Sequence, residues 1–201
     1  MKKIIISILL ILTFSISPLY GQMKEHLIGF KAAYNISGVD FKPTMNEVSV
    51  TTFKNYSLVY LYYHDLWKTM PYFGFQASFS YQEQAYRIDD TETRLTCYEI
   101  PLVSQFHIDF WKMRFLINLG GFMGYRMASN QAFDSSDLRL DYGFIAGGGL
   151  AFVFKPLELH LEGNYQYSLS YLYNPRKFSD TDLQFSYPHQ LLLSLALYLH
   201  L

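Results

Sequence analysis

The sequence predicts an all-β chain: an eight-stranded, antiparallel, up-and-down transmembrane β-barrel. Three observations carry that reading. Apolar and polar residues alternate with period two through most of the chain, the repeat of a strand with one face in an apolar setting. Eight such segments can be read, each reaching the roughly 9–11 residues that a tilted membrane strand needs. After residue 22 no apolar run is long enough for a membrane helix, which leaves a closed barrel as the way to cross a bilayer.

The chain has 201 residues, enough for one domain. Only 16% are charged, against about 25% in ordinary soluble domains. Tyr and Phe number 18 and 17. A net charge of −1 gives no basic footprint for nucleic acid. Met1-Lys2-Lys3 followed by the apolar run Ile4–Ile16 and the small residue Gly21 reads as a secretory signal peptide over 1–21, cleaved before Gln22, with the barrel domain over 22–201. No cysteine stands at that junction for a lipid anchor. Cys97 is the single cysteine, so it has no internal disulfide partner and is expected as a buried thiol.

The strands are expected near 26–37, 55–65, 72–84, 95–108, 113–126, 141–154, 157–170 and 187–200. The connections 66–71, 109–112 and 155–156 are short. Those near 38–54, 85–94, 127–140 and 171–186 are longer and polar, with "NQAFDSSD" and "NPRKFSDTD" carrying loop residues. Short turns on one side and long loops on the other is the layout of outer-membrane barrels, with both termini on the short-turn, periplasmic side.

Which face meets lipid is decided by the residues opposite the apolar stripes. In 72–82, Phe73, Phe75, Ala77, Phe79 and Tyr81 share one face, while Tyr72, Gly74, Gln76, Ser78, Ser80 and Gln82 share the other. Small neutral polar residues suit a narrow interior. A solvent-facing strand would carry Lys and Glu. The stripe Leu191, Leu193, Leu195, Leu197, Leu199, Leu201 and the face Leu157, Leu159, Leu161 opposite Glu158, His160, Glu162 repeat the pattern. "LGGFMG" (119–124) and "AGGGLAF" (146–152) put glycines inside strands, where they permit a sharply bent wall. Neither has the following helix and lysine of a nucleotide loop.

The segment "CYEIPLVSQFHIDFWKMRFLINLGGFMGYRM" (97–127), with "YEIPL", a short turn and "GGFMGY", resembles the PorT-like outer-membrane β-barrel domain family. That resemblance implies an integral outer-membrane barrel of the OmpA/OmpX type, in a family whose founding member is linked to protein secretion and gliding and most of whose members have no assigned activity. The chain departs from the habit of such barrels in ending on Leu201 rather than an aromatic residue.

The polar face includes Lys31, Glu99, His107, Arg114, Arg126, Glu158, His160 and Glu162. Strand direction sets Arg114, His107, Glu158 and His160 toward the short-turn end, Lys31 and Glu162 near the middle, and Glu99 and Arg126 toward the loop end. Charges in so narrow an interior need partners, so a paired network that plugs the barrel is expected. Trp67, Tyr72, Phe110 and Trp111 cluster at the short turns as an aromatic interface girdle, with Tyr56, Tyr125, Tyr142, Tyr171, Tyr173 and Tyr187 at the opposite rim.

Glu158, His160 and Glu162 have zinc-compatible chemistry on one strand face, but ion pairing accounts for them more simply, so no metal and no cofactor is expected. A rim hydrolase modifying lipid A would draw on Ser186, His189 and Ser194, yet His189 and Ser194 differ in parity and point to opposite faces, so no catalytic residue is assigned. The expectation is a non-enzymatic outer-membrane barrel with a structural or partner-binding role. An accessory component of a secretion or gliding apparatus is the first alternative, a lipid A-modifying enzyme the second. The expected partners are outer-membrane lipid and the barrel-assembly machinery during biogenesis, with a secretion-apparatus or extracellular protein met by loops 38–54 and 171–186.

Overall fold

The computed structural model describes residues 24–64, 73–131, 137–174 and 185–201. Among them every named element is a strand: β1 (Glu25–Lys42), β2 (Glu47–His64), β3 (Phe73–Ile88), β4 (Thr91–Phe110), β5 (Met113–Ser129), β6 (Leu140–Phe154), β7 (Leu157–Ser168) and β8 (Phe185–His200). Each strand pairs antiparallel with its chain neighbour, and β1 pairs with β8 from Leu27↔His200 to Lys42↔Phe185, closing the barrel.

Alternation along each strand sorts side chains as the sequence pattern requires. In β7, Glu158, His160, Glu162, Asn164, Gln166 and Ser168 are buried, while Leu157, Leu161 and Tyr165 are exposed. In β8, Leu191, Leu193, Leu195, Leu197 and Leu199 face outward, and Leu192, Ser194, Ala196 and Tyr198 face inward. The apolar stripes therefore lie outside and the polar residues inside, the reverse of a soluble barrel.

Glycine makes the tight wall possible. A Cβ on Gly147 would lie 2.2 Å from the Gly163 carbonyl oxygen, one on Gly149 2.1 Å from that of Leu161, and one on Gly143 2.0 Å from that of Tyr167. All three belong to β6, whose backbone curls against β7 where no side chain fits. In β4, Pro101 lacks an amide donor, and the β3–β4 ladder breaks there, resuming with Ala77↔Leu102 on one side and Ser80↔Glu99 on the other.

Two of the four connections expected to be long are tight turns. β1 runs to Lys42 and β2 begins at Glu47; β3 runs to Ile88 and β4 begins at Thr91. The segments expected near 38–54 and 85–94 are thus mostly strand. The cause is an apolar core inside the loop end: Val39, Phe41, Tyr86, Leu95, Cys97 and Leu172 pack together and give the polar hairpins something to close over. Cys97 is fully buried among them. β2 bulges, its register with β3 slipping between Ser49 and Tyr56. The bulge is stapled by Asn55, whose Nδ2 donates to the Ala33 and Thr52 carbonyls and whose Oδ1 accepts from the Glu83 amide at 2.9 Å.

Candidate functional site: the polar interior

The inward residues of β1, β5, β7 and β8 meet in the short-turn half of the barrel. Lys31 Nζ donates to Glu162 Oε2 at 2.8 Å. The same carboxylate oxygen accepts from Asn118 Nδ2 (3.2 Å) and Asn164 Nδ2 (3.0 Å). Gln105 Nε2 donates to Asn118 Oδ1 (3.0 Å), and the Tyr63 hydroxyl donates to Gln105 Oε1 (2.9 Å). These side chains come from five strands, β1, β2, β4, β5 and β7, so the network spans the interior from side to side.

Below it, His160 lies between two carboxylates, with Nε2 2.9 Å from Glu158 Oε1 and Nδ1 3.4 Å from Glu162 Oε1. His200 Nε2 is 3.0 Å from Glu158 Oε2. Arg114 reaches Glu158 (3.4 Å), Glu25 (3.0 Å) and Asp109 (3.4 Å), and its guanidinium lies over the Tyr63 ring at 4.6 Å. His107 Nδ1 is 2.7 Å from Asp109. Each buried charge of this network faces an opposite one, the condition under which burial in low dielectric is tolerable.

Arg126 and Asp141 form a separate pair at the loop end, 2.9 Å apart with both side chains fully buried. Arg126 Nη1 also donates to the Leu138 carbonyl at 2.7 Å and the Tyr171 carbonyl at 3.3 Å, tying the β5–β6 connection to the segment after β7. Glu99 lies in the same third and accepts from Gln84 Nε2 at 3.1 Å.

The eight predicted residues thus fall in three places. Lys31, Arg114, Glu158, His160 and Glu162 join one connected network. His107 reaches it through Asp109, and Glu99 and Arg126 stand apart at the other end. Sequence reasoning missed Glu25, Asp109, Asp141 and His200 as ion-pair partners. All four share the parity of inward neighbours: Glu25 and Asp109 lie one step beyond the expected strands 26–37 and 95–108, and Asp141 and His200 are the end residues of 141–154 and 187–200.

Of the predicted girdle, Phe110 and Trp111 are 69% and 87% exposed at the β4–β5 turn. Trp67 and Tyr72 lie outside the described residues. At the loop end Tyr56, Tyr125 and Tyr142 are exposed, and the Tyr171 ring packs at a tilt against that of Tyr187, with centroids 4.9 Å apart. Tyr173 departs from that rim. It packs against the inner apolar core, its ring 6.5 Å from that of Phe41, with its hydroxyl bonded to that of Tyr86, because the chain after β7 turns across the barrel mouth.

The residues weighed for hydrolysis do not meet. Ser186 Oγ accepts from the Tyr173 amide (3.0 Å), and Ser194 Oγ donates to the Glu162 carbonyl (3.4 Å). His189 lies beside Asp40 (3.7 Å) and the Tyr165 ring. Among the described residues no group of three or more His, Cys, Asp or Glu is placed to hold a metal ion.

The chain is similar to solved structures. Neisserial surface protein A is 11% identical with a TM-score of 0.52, the match covering 87% of this chain and 96% of that one. The attachment invasion locus protein Ail of Yersinia pestis is 16% identical with a TM-score of 0.46, covering 88% and 99%. The N-terminal barrel of Pseudomonas aeruginosa OprF is 12% identical with a TM-score of 0.46, covering 87% and 99%. No curated protein matches the chain by sequence. Residues 20–174 match the outer membrane protein beta-barrel domain, well over half the chain. With an outward apolar wall, a polar interior and a ring closed by its first and last strands, the chain belongs to the outer membrane protein beta-barrel domain family.

Proposed function

We propose that the protein is a non-enzymatic barrel of the bacterial outer membrane whose interior is plugged and whose role is structural or partner-binding. The observation that carries this reading is the Lys31–Glu162–Asn118–Gln105–Tyr63 network, which spans an interior just wide enough for side chains to fill. A signal peptide over 1–21 delivers the chain, the termini lie on the periplasmic side, and the loop end is displayed outside. The lipid-facing wall meets membrane lipid, and the assembly machinery is the partner during insertion.

Reconstitution into planar bilayers tests the plug. Folded protein should leave the membrane at its lipid baseline, and steady large channels would overturn the reading. A second reading, service as an accessory of a secretion or gliding apparatus, is favoured by the likeness of 97–127 to PorT-like barrels. Detergent co-purification with mass spectrometry decides it: recovery of envelope-spanning partners supports it, and recovery of assembly factors alone removes it.

A further inference from the structure

The interior is not filled evenly. Midway along the barrel, between the Lys31–Glu162 network and the loop end, lies a chamber of about 40 Å³. Its lining includes the polar Lys31, Gln76, Ser78, Ser80 and Gln166, and the apolar Val103 and Ile145, which are the cross-strand neighbours of Gln76 and Gln166. At roughly 10–15 Å³ for each water, it has room for about three. Gln76 is 4% exposed, and its Oε1 finds no hydrogen-bond partner among the described residues. A buried amide oxygen without a protein partner, at the wall of a polar cavity of this size, is what an internal water satisfies.

The chamber is closed in two different ways. On the short-turn side stand charges and their ligands: Lys31, Glu162, Asn118 and Tyr63. On the loop side Gln190 Nε2 donates to Gln82 at 3.0 Å and to Gln166, and its Oε1 accepts from Asn35 at 2.8 Å. Above that amide ring sits the apolar core of Phe41, Tyr86, Leu95 and Leu172. One closure is ionic; the other is amide and hydrocarbon. Among the described residues the hydrogen bonds of the two closures share no side chain.

We infer that the chamber is a water-binding site held between two independent seals in series, each sufficient by itself to stop the passage of ions. The inference rests on the plugged-barrel reading and goes beyond it, because a single continuous plug would have no hydrated compartment and no second barrier.

The test places a reporter thiol in the chamber, Ser78→Cys in a Cys97→Ala background, and measures its modification by a small methanethiosulfonate together with bilayer conductance. Heat-shifted gel mobility verifies folding. Lys31→Ala/Tyr63→Ala/Glu162→Ala removes the ionic seal, and Phe41→Ala/Tyr86→Ala/Gln190→Ala removes the other. Each triple variant should speed reporter modification roughly tenfold or more, since labelling follows the local opening equilibrium, while conductance stays at baseline. The two sets combined should conduct. Where a triple variant does not fold, the pairs Lys31→Ala/Glu162→Ala and Phe41→Ala/Tyr86→Ala are read by the reporter alone.

Steady conductance from one triple variant overturns the inference. So does a folded combined variant that stays closed, or a pair that folds without speeding the reporter. Conductance by the unaltered protein would instead overturn the plugged reading itself.

Discussion

Lys31 and Glu162 face each other at 2.8 Å across the interior although 131 positions separate them in the chain, and β8 runs between the strands that carry them. Glu162 is also the acceptor for Asn118 and Asn164, so one carboxylate is the junction of the ionic network.

Glu162→Leu strands the Lys31 ammonium in the interior. The expected loss is about 3–5 kcal/mol, the scale for breaking a buried ion pair from one side, read as a lower midpoint for heat-induced unfolding in detergent. Lys31→Met combined with Glu162→Leu should recover most of it. A single variant as heat-resistant as the parent would refute the role given to this pair.

The glycines of β6 and β7 give a graded steric test. Gly147→Val sets a side chain against the Gly163 backbone oxygen, where even a Cβ would be 2.2 Å away. The cost should reach the upper end of the ~1–3 kcal/mol range for overpacking, visible as a lower refolding yield. Gly163→Ala, whose Cβ would meet only Leu193 Cδ2 at 3.5 Å, should refold like the parent.

Arg126 holds the loop end by salt bridge and by main-chain carbonyls. Arg126→Met should leave Asp141 uncompensated and release residues 137–140 and 171–173. Faster amide exchange confined to those segments, with the β1–β8 ladder still protected, is the expected pattern. Uniform acceleration around the barrel would show that the pair supports the whole structure.

Trp111, at the β4–β5 turn, is proposed to sit at the membrane boundary. In a Trp67→Phe background its fluorescence should be quenched more by lipids brominated near the headgroup than by lipids brominated at the chain end. The opposite order would remove it from the interface.

The strand cores were legible because the chain alternates with few faults. Period two assigns the face of Phe75, Gln76, Leu195 and Glu162 without three-dimensional knowledge. The ends were less so. β1 and β3 continue past their expected limits because Val39, Phe41 and Tyr86 are inward, and the polar residues between them look like loop until an apolar core beneath them is known. Parity could announce that Lys31 and Glu162 point inward but not that they touch. Contact across a barrel depends on register and stagger, which the β2 bulge at 50–55 changes and single-sequence alternation does not encode. Asp141 was overlooked for a related reason: it stands at a strand terminus, where one residue decides between a turn acid and an interior partner.

The ring in which β1 meets β8 has a bearing on biogenesis. Lys31 waits for Glu162, 131 positions later, so an emerging polypeptide carries that interior ammonium unmatched until its final third arrives. Partial hairpins entering hydrocarbon would drag that ion along. The Lys31 charge is therefore balanced only when β7 arrives, and the hydrogen-bonded wall is complete only when β8 meets β1.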